Sequence, residues 1–363
     1  IKLIFQFHQI KLFLNLETLN FIKMKNIFLV AACLLVGLSS FAQQKELTIE
    51  ESVFGRWRQF NPEDMMSSKW QDNEHFTYVK DWAELIQVGV KEDAEKSLIK
   101  LEAINAILKK NSIKEVNYIF GYEWDGVDLL RIEAGDYLVV LNIKDGTIDH
   151  KIKFEKEAGN KHYNKASKKA AFTVDNNVYV ADAEGNTIQV TKDGKEGIVN
   201  GDAYVHRQEF GIDKGIFWSP NGNYMAFYRK DETMVADYPL VDVTSRIATL
   251  KNSKYPMAGE TSEQVTLGVY NFKTGKTVFM KKQGAKDDYL ARISWDPTEK
   301  YVYIAELNRG QNHMKLNKFD ANTGEFIATL FEEKHPKYVE PEHDMYFMKT
   351  KPDQFVWFSE RDG

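Results

Sequence analysis

One short phrase recurs along this chain. Trp218-Ser219-Pro220-Asn221-Gly222, leading into the apolar run Tyr224-Met225-Ala226-Phe227, is echoed by Trp295-Asp296-Pro297-Thr298 with Tyr301-Val302-Tyr303-Ile304. Lys351-Pro352-Asp353 with Phe355-Val356-Trp357 repeats it again, and a weaker copy runs from Lys165 to Phe172. Taken at the proline-equivalent position, Lys165, Pro220, Pro297 and Pro352 lie 55, 77 and 55 residues apart. A four-stranded propeller blade takes roughly 40 to 50 residues, so the intervals are those of blades with loops. A β-sandwich does not repeat a turn at blade intervals. The long step marks an insertion, Lys230 to Glu263.

The strands between these turns carry the β-branched and aromatic residues that suit a pleated surface: Tyr137 to Leu141, Asn177 to Val180, Val265 to Tyr270, Tyr301 to Ile304 and Phe355 to Phe358. Hairpin turns are predicted at Lys144-Asp145-Gly146, Asp193-Gly194, Lys273-Thr274-Gly275 and Asn322-Thr323-Gly324. Ahead of Tyr118 the period is helical, with Leu98, Leu101, Ile104, Ile107 and Leu108 on one face. The fold class is therefore all-β: an incomplete β-propeller of five to six blades with a short N-terminal helical segment. Residues 43–117 hold that helix and the start of the propeller, and residues 118–363 its body.

Residues 1–23 lack caps and periodicity and are set aside as an untranslated or non-native leader. From Met24 the pattern is that of a signal peptide over 24–42: Lys25, an apolar run from Ile27 to Leu38, and Ser40-Phe41-Ala42 ahead of cleavage before Gln43. The run is too short to span a bilayer. Val30-Ala31-Ala32-Cys33 looks like a lipoprotein box, but the residues after Cys33 stay apolar where a lipoprotein linker turns polar. Cys33 is the one cysteine, so the mature chain has no disulfide. An exported protein, periplasmic or extracellular, is expected. A net charge of -5 with mixed signs offers no basic patch for nucleic acid. At the other end, Asp362-Gly363 starts a turn after a strand-like run, and a truncated C-terminus is expected.

The run from Glu209 to Pro220, followed by Ala226-Phe227-Tyr228-Arg229, resembles the N-terminal domain of the dipeptidyl peptidase IV family of serine peptidases. So do Tyr255-Pro256-Met257-Ala258-Gly259, Leu307-Asn308-Arg309 with Gln311-Asn312-His313, and Ser359-Glu360-Arg361-Asp362-Gly363. The resemblance implies an eight-bladed propeller covering an α/β-hydrolase domain that releases N-terminal di- or tripeptides after proline. It implies peptide substrates with proline near the N-terminus, no cofactor, and homodimers formed in part through the propeller insertion. The chain contains no G-x-S-x-G nucleophile elbow, so no catalytic residue is assigned and the hydrolase is the missing partner. The alternative is a non-catalytic envelope propeller that binds a protein or glycan.

An exopeptidase must recognise a free ammonium, and a fixed carboxylate does so through charge-assisted hydrogen bonds. By the resemblance that task falls to Glu209, in His206-Arg207-Gln208-Glu209-Phe210-Gly211. Dipeptidyl members carry an adjacent glutamate pair there, and Gln208 replaces its other member. A single carboxylate there resembles the prolyl tripeptidyl peptidases of the same family, in which the lost carboxylate leaves room for one more residue and removes a charge, so the tripeptidyl subtype is expected. Arg131, six residues ahead of Tyr137, matches the family arginine that holds a substrate carbonyl. Asp231-Glu232 is an acidic pair in the insertion and reads as a surface or interface feature. His335, Glu340, Glu342 and His343 are close in sequence, but Pro336 and Pro341 break any helix that would converge them, and no metal site is assigned.

Overall fold

The structure, a computed structural model, describes residues 46–55, 60 and 64–362. The expected leader, the signal peptide and Cys33 lie outside the described residues. The chain divides into two units, Ile1–Asp64 and Met65–Gly363. In the first, α1 (Ile49–Phe54) opens on a capping box. Thr48 Oγ1 accepts the Glu51 N–H at 3.1 Å while the Glu51 carboxylate accepts the Thr48 N–H at 3.0 Å, which satisfies two orphan donors at once.

The second unit is a series of antiparallel sheets. β1–β4 (Met66–Trp70, His75–Lys80, Glu84–Gly89, Glu92–Lys100) form the first, and α2 (Leu101–Lys110) follows. β5–β8 (Glu123–Gly126, Leu129–Ala134, Tyr137–Asn142, Thr147–Lys153) and β9–β12 (Gly159–Asn164, Lys169–Val174, Asn177–Asp182, Thr187–Gln189) form two more meanders. The fourth sheet joins β13 (Ile198–Asn200), β14 (Ile216–Trp218) and β15 (Tyr224–Asp231) to later strands. A separate hairpin, β16 (Asp237–Asp242) with β17 (Thr249–Lys254), intervenes before β18 (Gln264–Asn271) and β19 (Lys276–Phe279) complete it. β20–β23 (Tyr289–Trp295, Tyr301–Leu307, His313–Asp320, Phe326–Lys334) form the fifth sheet, and β24 (Tyr346–Met348) pairs with β25 (Lys351–Val356).

Each sheet shares one apolar cluster with the next. Leu85 and Val79 pack with Leu130 and Val139; Leu138 and Val140 with Phe172; Val178 with Met225 and Phe227; Leu267 with Ile304; and Tyr303 with Phe347. Burial between successive sheets, rather than between two stacked layers, is the packing of a propeller. Three tryptophans join the blades by their polar edges as well. Trp124 Nε1 donates to Thr77 Oγ1 (2.8 Å), Trp218 Nε1 to His162 O (2.8 Å) and Trp295 Nε1 to Phe217 O (3.0 Å), each reaching the preceding sheet. The turns after them are linked too. Glu299 accepts the Asn221 N–H and Asn223 Nδ2, both at 2.6 Å.

Most of the expected strands and turns hold, with instructive exceptions. Four strands precede the helix, which starts at Leu101, and Leu98 belongs to β4. The polar sequence of β4 hides its alternation. Asp193-Gly194 does not close a hairpin: it lies between β12 and β13, on the way to the next sheet, where Asn177 Oδ1 accepts the Gly194 N–H at 3.0 Å. The third copy of the repeated phrase is displaced as well. Its turn is Lys349-Thr350, and Pro352 sits inside β25, whose one partner among the described strands is β24. A proline on such an edge forfeits no ladder bond.

Candidate functional site

β13 and β14 pair with the same edge of β15, Ile198–Asn200 opposite Asp231–Arg229 and Ile216–Trp218 opposite Phe227–Met225. Residues 201–215 leave the sheet between them. The excursion begins and ends on one residue, since Gly201 N donates to Tyr228 O (2.8 Å) and Tyr228 N to Gly215 O (3.0 Å). The neck is narrow: a Cβ on Gly215 would lie 2.1 Å from Asp202 O.

Within the excursion His206, Arg207, Gln208 and Phe210 all have left-handed backbones, with φ of 49°, 58°, 60° and 55°, while Glu209 is extended at φ -62°, ψ 162°. For residues with a Cβ each such conformation costs roughly 1 kcal/mol or more and persists where surrounding contacts impose it. Those contacts are buried. The His206 N–H donates to Glu263 Oε1 (2.5 Å), the Leu290 N–H donates to His206 Nε2 (3.1 Å), and the rings of His206 and Phe210 meet Tyr289 edge-on at 5.0 and 5.1 Å. Arg292 donates to Phe210 O, to Pro341 O (2.9 Å) and to Asp344 (3.2 Å). Burial, with Lys282 and Arg309 nearby, holds the His206 imidazole down to about 3, so it stays neutral and can accept the Leu290 N–H.

With His206 and Phe210 turned inward, Gln208 and Glu209 are exposed. The Glu209 carboxylate makes no hydrogen bond or ion pair among the described residues. Arg131, on β6, is placed elsewhere. Its Nε donates to Asp125 Oδ1 on β5 (3.2 Å), and its guanidinium lies 4.8 Å from the centre of the Tyr163 ring on β9, so it ties the second sheet to the third. No contact among the described residues joins it to residues 206–211. Asp231 accepts Thr233 N and Oγ1 at 3.1 and 2.7 Å, and Glu232 pairs with Lys230 at 3.1 Å. His335 Nδ1 accepts the N–H groups of Lys337 and Tyr338. Among the described residues no group of three or more His, Cys, Asp and Glu converges as metal ligands. No helix among them is long and apolar enough to cross a membrane.

Sequence reasoning missed Glu263, Tyr289, Arg292 and the role of Arg207. Nothing local marks them, because each acts on residues 206–211 from a distant part of the chain or, for Arg207, reaches out from that segment to one.

The family model of the dipeptidyl peptidase IV (DPP IV) N-terminal region matches residues 125–363. Dipeptidyl aminopeptidase B of Saccharomyces cerevisiae is 32% identical over 136 residues, which are 34% of this chain and 17% of that protein. A Talaromyces marneffei protein named for the same activity is 31% identical over 176 residues, 43% of this chain and 20% of the relative. Among solved structures, a Bacteroides ovatus protein assigned as a dipeptidyl aminopeptidase IV superposes with a TM-score of 0.75 at 39% identity, over 83% of this chain and 42% of that one. Porphyromonas gingivalis dipeptidyl peptidase 4 shares the fold at a TM-score of 0.69 and 20% identity, over 88% of this chain and 47% of that one. The matches thus span about a fifth of these curated relatives and under half of the solved chains. With the family model covering the greater part of its length, this chain belongs to the dipeptidyl peptidase IV N-terminal region family.

Proposed function

We propose that this chain is the substrate-gating propeller of an exported, prolyl-specific serine exopeptidase, with Glu209 binding the ammonium of the peptide N-terminus. The observation that carries the reading is an exposed carboxylate without a partner among the described residues, presented by a segment whose neighbours are locked in buried contacts. Such a carboxylate is oriented without being spent. An exposed ion pair in water contributes about 0–1 kcal/mol, so useful selectivity requires a wall that excludes water over Glu209. In this reading the hydrolase domain supplies that wall along with the Ser-Asp-His triad. Gln208 leaves space and one charge fewer beside Glu209, and the released fragment is a tripeptide ending in proline. Arg131 would hold a substrate carbonyl if its guanidinium turned from Asp125. The hairpin β16–β17, with Leu240, Val241 and Leu250 exposed, supplies a homodimer surface.

The test is cleavage of dipeptidyl-Pro and tripeptidyl-Pro chromogenic peptides by the full-length gene product and its Glu209→Ala variant. The wild type should prefer the tripeptidyl substrate, and the variant should raise its KM by about tenfold or more, the worth of a hydrogen bond to a charged group. Unchanged turnover by Glu209→Ala would place the ammonium site elsewhere.

A further inference from the structure

The segment that carries Glu209 is held by the chain that leads out of the insertion. Glu263, the residue before β18, is 2% exposed. Its Oε1 accepts the His206 N–H and its Oε2 lies 3.7 Å from Arg207 Nη2. Arg207 then reaches the base of the insertion hairpin, where Nη2 donates to the carbonyl of Lys254, the last residue of β17, at 2.7 Å. The guanidinium also lies against Tyr204 and Tyr255, 5.2 and 5.1 Å from their ring centres. Lys254 closes the hairpin base in turn through Val235 O and Asp237, both at 3.0 Å. A continuous path therefore joins β17 to Arg207, and Arg207 is two residues from Glu209.

Arg207 and Gln208 adopt backbones that surroundings must impose. The hairpin contact is one of the impositions, and it is made through a single hydrogen bond, because the buried Nε of Arg207 has no hydrogen-bond partner among the described residues. We propose that Arg207 and Glu263 are positioning residues that couple the seating of the insertion hairpin to the placement of Glu209, so that a shift of the hairpin base alters affinity for the peptide N-terminus without touching the peptide. This rests on the assignment of Glu209 to the substrate ammonium. It adds a regulatory input to that site, with the hairpin as the element through which the input arrives.

A double-mutant cycle in the full-length gene product tests the coupling, with KM and kcat read on the tripeptidyl-Pro peptide. Arg207→Ala should raise KM about tenfold, the loss expected for one hydrogen bond made by a charged group, with kcat little changed. In a Glu209→Ala background the same substitution should add almost nothing, because coupled residues are non-additive. Glu263→Gln, whose amide oxygen can still accept the His206 N–H, should recover most of what Glu263→Ala loses. If Glu263→Ala does not fold, the Arg207 arm decides alone. Equal KM increases from Arg207→Ala in both backgrounds would overturn the coupling, as would no increase in either while Glu209→Ala raises KM. If Glu209→Ala itself leaves KM unchanged, the ammonium assignment fails and the coupling falls with it.

Discussion

The edge of the fourth sheet that β13 and β14 share is built in two ways. Its β14 half ends in Trp218-Ser219-Pro220-Asn221-Gly222, a turn with counterparts in other sheets and a tryptophan that hydrogen-bonds to the preceding sheet as Trp124 and Trp295 do. The other approach, residues 201–215, has no counterpart. It is fixed by contacts made once: Glu263 to His206, Tyr289 to Phe210, Arg292 to the Phe210 carbonyl. Repeated devices hold successive sheets together, whereas the unrepeated ones fix the backbone on either side of Glu209. The sheet edge and the excursion that leaves it between β13 and β14 thus rest on different kinds of contact.

The sharpest way to break this contrast is to remove a repeated device. Trp295 is nearly buried, donates to Phe217 O and fills the cluster between the fourth and fifth sheets. Trp295→Ala should cost about 3–5 kcal/mol, measured by urea unfolding. Trp218, less buried and stacked on Phe272 with ring centres 5.3 Å apart, should cost less when truncated. The reverse order would undo the account of the staples.

The excursion should show itself through pH. His206 titrates near 3 in the fold against an ordinary 6.5, so the unfolded chain takes up the proton first on acidification. The stability tied to its neutrality is complete above about pH 6.5 and is lost as pH falls toward 3. Between pH 7 and pH 5 that loss is about 2 kcal/mol. His206→Gln should flatten the slope of unfolding free energy over this range by that amount. His162, pushed down to about 4 by burial and Lys214, contributes its share in both proteins. An unchanged slope would show that His206 is not held neutral.

The smallest effect belongs to the neighbouring acidic pair. Asp231 is occupied with Thr233, and Asp231→Asn should leave peptide KM within about twofold, as for a surface substitution. A larger change would bring Asp231 into recognition and erase the distinction between it and Glu209.

What the sequence disclosed follows the same division. The blade repeat and the tryptophan turns are legible because each is written several times and obeys local chemistry, and the insertion shows as the one long interval between copies. β1–β4 were obscured where a polar strand, Glu92–Lys100, has no apolar alternation to read. The left-handed run was invisible for another reason. Arg207, Gln208 and Phe210 have no marked local preference for φ > 0, and the carboxylate that receives the His206 N–H lies 57 residues downstream. Glu209 is singled out only through resemblance to a family. Its freedom from partners emerges from the packing of His206 and Phe210, which the sequence does not announce.

The way β15 is paired has a consequence for how such a domain can diversify. Asp231 and Gln264 face each other across the ladder, and Gly201 and Gly215 both return to Tyr228. At each place the chain departs and comes back to the same rung, so the sheet's register is indifferent to what lies between. A two-residue turn would suffice to close the ladder where residues 232–263 now stand. Either excursion can therefore be lengthened, shortened or exchanged while the sheet keeps its register, which leaves two appendages of one sheet free to vary.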